Sequence, residues 1–152
     1  MSAAIEYARL LRELTEFERR GERETPAAEA VADRMDGPWG RLTETEEGRL
    51  RALSADLNDL LDGTTKGVAM TLEQEAAWKA EARPLLMAVL AGAGDPDAVL
   101  LLLRKPYPAS LPPGTVALWK ARCWEALGDP ETASAFVRAG SEQSARQLLA
   151  AG

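Results

Sequence analysis

Cys123 is the one thiol of this chain, and no histidine stands anywhere in it to activate that thiol. The absence removes Ser–His and Cys–His nucleophile pairs, imidazole acid–base catalysis and most zinc sites. Cys123 lies beside Trp124 and three residues before Ala126 on an apolar helical run, with no base next to it. It therefore reads as a small buried hydrophobe rather than a nucleophile. Glu44, Glu46 and Glu47 carry donors that suit a hard cation. Acids crowded into a first helical turn are, however, what the positive end of a helix dipole favours, and a solvated turn is the reading taken. No EF-hand loop, P-loop or dinucleotide fingerprint occurs, and Gly92-Ala93-Gly94 is a turn rather than a phosphate cradle. The expectation is a non-enzymatic chain with no catalytic residue, metal or cofactor.

Aromatic side chains are the next candidates. Trp39, Trp78, Trp119 and Trp124 each carry a large area to bury, and core is the first reading for all four. Trp119 and Trp124 are five apart, roughly 140° around a helix, so they point in different directions. One then packs within its own hairpin, and the other is left to meet a neighbour or a ligand. Trp39 follows Gly37-Pro38 and is expected to plug the junction between the second and third helices.

These residues need helices to hold them, and composition supplies little else. The chain has 28 Ala and 22 Leu against six Val and one Ile, which favours helix over sheet. A length of 152 residues and a hydrophobic fraction of 46% suit one domain, or a small domain with an extension. The net charge of −6 comes mostly from residues 1–67, with 15 acids and 10 bases. That balance argues against nucleic acid and anionic membrane as partners. No apolar run reaches the length of a membrane span. A single cysteine and a first stretch without the basic-then-apolar layout of a signal peptide point to a cytoplasmic chain.

In chain order, Ile5, Ala8, Leu11, Leu14 and Phe17, widened by Tyr7 and Leu10, predict a helix from about Ala3 to Arg20, stopped by Gly21. Thr25-Pro26 starts a second helix, with Val31 and Met35 on one face and Gly37-Pro38 at its end. Thr43-Glu44-Thr45-Glu46 is a capping box, and Leu50, Leu53, Leu57, Leu60 and Leu61 form a seam closed by Gly63. Residues 63–70 read as a linker. Thr71-Leu72-Glu73-Gln74 opens a helix to about Ala91, either kinked at Pro84 or divided there into two. Asp95-Pro96 and Asp129-Pro130 are paired starts, the proline-rich segments 105–108 and 111–114 are non-helical, and Ser141 caps a last helix to about Ala150. No sheet is expected.

The strongest internal signal is an echo. Gly94-Asp95-Pro96-Asp97 returns as Gly128-Asp129-Pro130-Glu131, 34 residues later, and Leu102-Leu103-Arg104 as Phe136-Val137-Arg138. Helix, tight turn, helix at this period is the signature of a tetratricopeptide array, and it predicts left-handed glycines at both Gly94 and Gly128. Residues 71–140 resemble that family. In the second copy Ala121 falls at its small close-approach residue, Trp124 at its large aromatic, Gly128-Asp129 at its turn, Ala133 at its near-invariant alanine and Val137 at a bulky position. Ala117 departs from the usual Trp and Gly140 from the usual Ala. In the first copy Met87 replaces the small residue and Val99 the alanine. Residues 1–63 are also similar to N-terminal segments of uncharacterised bacterial proteins, best known from planctomycetes. The similarity rests on Asp33-Arg34-Met35-Asp36, Pro38-Trp39, Leu42 and Leu53-Ser54-Ala55-Asp56-Leu57. It implies no activity.

The fold expected is all-α: antiparallel helical hairpins stacked as a short tetratricopeptide-like array over 71–152, with a three-helix N-terminal extension over 1–63. The resemblance implies an interaction module, an adaptor or scaffold that takes a protein or peptide on a groove lined by first helices. Leu118, Arg122 and Glu125, with Trp119 beside them, fall at the matching positions. The Lys/Asn pattern that clamps a terminal carboxylate is missing, and the last helix is an alternative filler of the groove. Two other functions stay open. One is self-assembly through the Leu50–Leu61 seam or a structural-subunit role. The other is a small-ligand site or enzyme built on Arg or Glu near Trp119, which a pocket of several hundred Å³ holding a charged pair would favour. Sequence sets no oligomeric state.

Overall fold

The computed structural model describes residues 2–62, 67–112 and 114–151, with side chains for all of these except 61–62 and 143–151. It is mostly helical and forms two compact units, Met1–Thr64 and Thr65–Gly152.

In the first unit, the Ser2 hydroxyl accepts the Ile5 N–H at 3.2 Å and starts α1, Ala3–Arg19. Gly21, at φ +71°, ends it, with the Glu22 N–H returning to the Phe17 carbonyl at 2.8 Å, the six-to-one bond of a Schellman turn. Thr25 caps α2, Pro26–Arg34, which buries Ala28 and Val31. Gly37-Pro38 does not stop the chain as expected. A four-residue helix, α3, Asp36–Trp39, turns through it, making a fourth helix in this unit. Pro38 lies in a first turn, where its missing N–H costs no helical bond. The Trp39 N–H still reaches the Met35 carbonyl at 3.1 Å.

The capping box of α4, Glu44–Asp62, is complete: the Thr43 N–H donates to the Glu46 carboxylate at 3.0 Å, and the Glu46 N–H to the Thr43 hydroxyl at 3.2 Å. Leu50, Leu53 and Leu57 are buried in the packing of α4 on α1, which uses Ala8, Leu10 and Leu11 from the other side. These three leucines of the seam are thus occupied within their own unit. Gly63 and the Leu61 side chain lie outside the described residues. Trp39 packs on Tyr7 with ring centroids 5.0 Å apart, and the Arg51 guanidinium lies 5.3 Å from its ring centre. Burial there raises the Tyr7 hydroxyl above its ordinary range, more than the Arg51 charge lowers it.

The second unit opens with a short strand, β1, Gly67–Val68, that pairs in parallel with β2, Tyr107–Pro108. This two-stranded sheet corrects the expectation of none. The proline-rich segment 105–108, which cannot be helical, satisfies backbone groups on residues 67–68 of the expected linker instead, and the Ala109 N–H donates to the Val68 carbonyl at 2.9 Å. The α5 helix, Leu72–Leu90, has the Thr71–Gln74 capping box and runs unbroken through Pro84. Asp95 accepts from the N–H groups of Asp97 and Ala98 to start α6, Pro96–Arg104. After β2 come α7, Thr115–Ala126, and α8, Pro130–Ala151.

Two turn assignments need correction. Gly94 is not left-handed; Gly92 is, at φ +78°, and Gly128 is, at +83°. A Cβ at Gly94 would sit 2.6 Å from the Val89 nitrogen, so close approach, not φ, demands the glycine. Ser141 is not a cap either, because α8 continues through it. A Cβ at Gly140 would lie 3.0 Å from the Gly114 carbonyl oxygen and 3.2 Å from Leu118 Cγ. Gly140 is where α8 crosses α7 closely, and helix-wide packing overrides a local stop signal.

Candidate binding surface

The α7 helix carries the residues singled out by the sequence, and three contacts fix it beside α5. Strand β1 leads into α5 and β2 into α7, and their parallel pairing sets the two helix starts side by side, running the same way. The Ser110 hydroxyl, just before α7, donates to the Glu75 carboxylate of α5 at 2.6 Å. That bond, together with Lys79, holds the Glu75 carboxyl below its ordinary range. Trp119 of α7 stacks on Trp78 of α5, with centroids 6.2 Å apart and planes 18° from parallel.

The expected site therefore divides. Trp119 turns to Trp78, while Leu118, Arg122 and Glu125, spaced four and three apart, form a separate exposed stripe. Leu118 keeps 42% of its surface exposed although it touches the helix crossing at Gly140. Arg122 and Glu125 make a 3.5 Å ion pair with side chains 64% and 63% exposed, a geometry that adds little stability. Trp124, by contrast, is core.

The one thiol of the chain is taken up by packing. Cys123 is fully buried, and burial pushes its thiol up to about 12, against the opposite pull of Arg104. No group of three metal-ligating side chains forms among the described residues, and Glu46 is committed to its cap. An open depression of about 440 Å³ lies between α1 and α2, floored by Phe17, Ala27 and Val31. Its charged pair, Arg34 and Glu13 at 3.6 Å, has side chains 60% and 45% exposed, so the desolvated polar groups of a small-ligand site are missing.

Sequence reasoning missed one surface. Met87 and Leu90 on α5 are 58% and 63% exposed, and with Ala76, Ala80 and Pro84 they line the face opposite buried Trp78, Ala82 and Val89. The signal is present in the sequence: a helix apolar all round has two faces to cover, and of this run only Trp78 is singled out there as a candidate.

No protein-family model matches the chain, and comparison with curated proteins and with solved structures gives no significant match either.

Proposed function

We propose that this chain is a non-enzymatic protein-binding module, a tetratricopeptide-like adaptor of the bacterial cytoplasm, that engages a protein or peptide along the Leu118, Arg122 and Glu125 stripe. One observation carries the reading. In α5 the stripe 36 residues earlier, placed by the equivalent glycine turns at Gly92 and Gly128, is Ala82, Leu86 and Val89 and is wholly or half buried, whereas in α7 its counterpart is open and carries a leucine followed by a base and an acid. An exposed leucine followed along one face by a base and an acid suits an amphipathic helix or extended peptide of mixed charge. A buried, free Cys123 fits a reducing compartment.

Photo-crosslinking in the native host tests this. A crosslinkable residue at position 122 is expected to give a discrete adduct that Glu125→Lys abolishes, while one at exposed Glu24 gives none. Adducts equal at both positions, or insensitive to Glu125→Lys, would remove the assignment.

A further inference from the structure

The two hairpins of the second unit are one device used twice, and their equivalence locates a second docking face. Gly92 donates to the Val89 carbonyl and Ala93 to Ala88, as Gly128 donates to Glu125 and Asp129 to Trp124. This sets α5 and α7 in register at a separation of 36. The Asp95 and Asp129 caps set α6 and α8 in register at 34.

In that register the open face of α5 matches the face by which α7 docks on the hairpin before it. Met87 is the counterpart of Cys123, which is fully buried and feels the charges of Asp97 and Arg104 on α6. Ala80 matches half-buried Val116. At the other end, Leu118 and Val137, 42% and 46% exposed, are the counterparts of Ala82 and Leu103, each 1% exposed. The unit therefore ends on a leading face at α5 and a trailing face on α7 and α8, each lacking what its counterpart has.

We propose that these two faces dock on each other between copies of this chain, head to tail. The internal contact serves as template. Trp78 meets Trp119, and one turn further along both parallel helices lie Ala82 and Cys123, both buried. Their counterparts are Leu118 and Met87, both exposed apolar side chains, so the same packing step brings Leu118 of one copy onto Met87 of the next. The charges repeat as well: Glu131 and Arg138 stand where Asp97 and Arg104 stand, and flank the incoming Met87 as those flank Cys123. The tryptophan stack does not repeat, since Gly114 and Arg83 occupy its positions, so the contact is weaker than the internal one. A heterologous contact of this kind closes into a ring or grows open, rather than stopping at a symmetric pair.

This inference rests on the trailing stripe being a docking surface and names a second copy as its occupant. Sedimentation of the full chain from about 1 µM to about 1 mM should show a mean mass climbing beyond twice the 16.4 kDa chain. Met87→Asp and Leu118→Asp should each hold the chain monomeric without lowering its melting temperature. Mixed, they should form a dimer and nothing larger, because each keeps the face the other has lost. Should Leu118→Asp lower the melt through its contact at Gly140, Val137→Asp serves for the same face. A constant monomer mass, or variants that do not complement, would overturn the proposal. Met87→Asp leaves the stripe at Leu118, Arg122 and Glu125 intact, so a position-122 adduct lost along with self-association supports a second copy as its occupant, whereas an adduct retained overturns that assignment and leaves the proposed function standing.

Discussion

Gly92 and Gly128 hold the same place in two turns: each follows its helix at positive φ, +78° and +83°, and each donates to a carbonyl three residues back at 3.0 Å. The turns differ in what comes next. Asp129 both completes its Schellman turn and caps α8, with the Thr132 N–H donating to its carboxylate at 3.1 Å. In the first turn these duties fall to two residues, Ala93 and Asp95, with Gly94 between them.

Valine at Gly92 or Gly128 should therefore destabilise the chain by about 1–3 kcal/mol, since a β-branched residue resists positive φ. Gly94→Ala should also destabilise, because its Cβ would meet backbone at 2.6 Å. Gly48, exposed inside α4 with nothing within 4 Å of its added Cβ, should do the opposite: Gly48→Ala is expected to stabilise by up to about 1 kcal/mol. Thermal melts of the four variants decide this. A Gly92→Val variant that melts like the wild type would remove the equivalence of the two turns.

The unbroken α8 makes a paired prediction. Ser141→Ala should change stability by less than about 0.5 kcal/mol, as at an ordinary exposed position, whereas Asp129→Ala should cost about 0.5–2 kcal/mol as a true cap. Gly140→Val should be costly through its contacts with Gly114 and Leu118. Equal losses at Ser141 and Asp129 in denaturant titrations would mean that a second helix does begin at Ser141.

Local chemistry was legible where it acts locally. Thr25-Pro26, Thr43 with Glu46, Thr71 with Gln74, and Asp95-Pro96 all start helices because a side-chain oxygen and a chosen φ suffice. Burial of Leu50, Leu53 and Leu57 followed from spacing alone. What escaped depends on distant chain. Ser141 reads as a cap until α8 is seen to run through it beside α7, and Gly94 reads as the left-handed residue until Ala88 and Val89 are placed against it. The strand pair needs residues 40 apart in sequence, and the open face of α5 shows only when its other face is filled. Among the candidate site residues, Leu118, Arg122 and Glu125 share a face by periodicity. The turn of Trp119 toward Trp78 is a tertiary fact.

Cys123 supplies a pH prediction. Burial pushes its folded thiol up to about 12, well above the range of an exposed thiol, so the unfolded chain ionises first as pH rises. Any stability this group contributes is fully present below about pH 9 and is lost as pH climbs toward 12. Cys123→Ala should remove that alkaline slope, and the native wild type should react with a thiol reagent only as fast as it opens. Rapid native labelling, or an unchanged slope in the variant, would contradict the burial argument.

The Trp78–Trp119 stack is the last relationship that can be measured in isolation. Trp78 is 8% exposed, so Trp78→Ala leaves a cavity and should cost about 3–5 kcal/mol. Trp119, half-buried, should cost less. If the rings interact beyond the area they cover, the double variant should be less destabilised than the sum of the singles by about 0.5–1.5 kcal/mol, the range for paired aromatics. Leu90→Ala, on the exposed opposite face of α5, gives the comparison, because its loss should add to that of Trp119→Ala. Urea titrations of the single and double variants yield both cycles. Additive behaviour in the tryptophan cycle would mean the rings are neighbours without being partners, and the register of α5 against α7 would then rest on the strand pair and the Ser110–Glu75 bond alone.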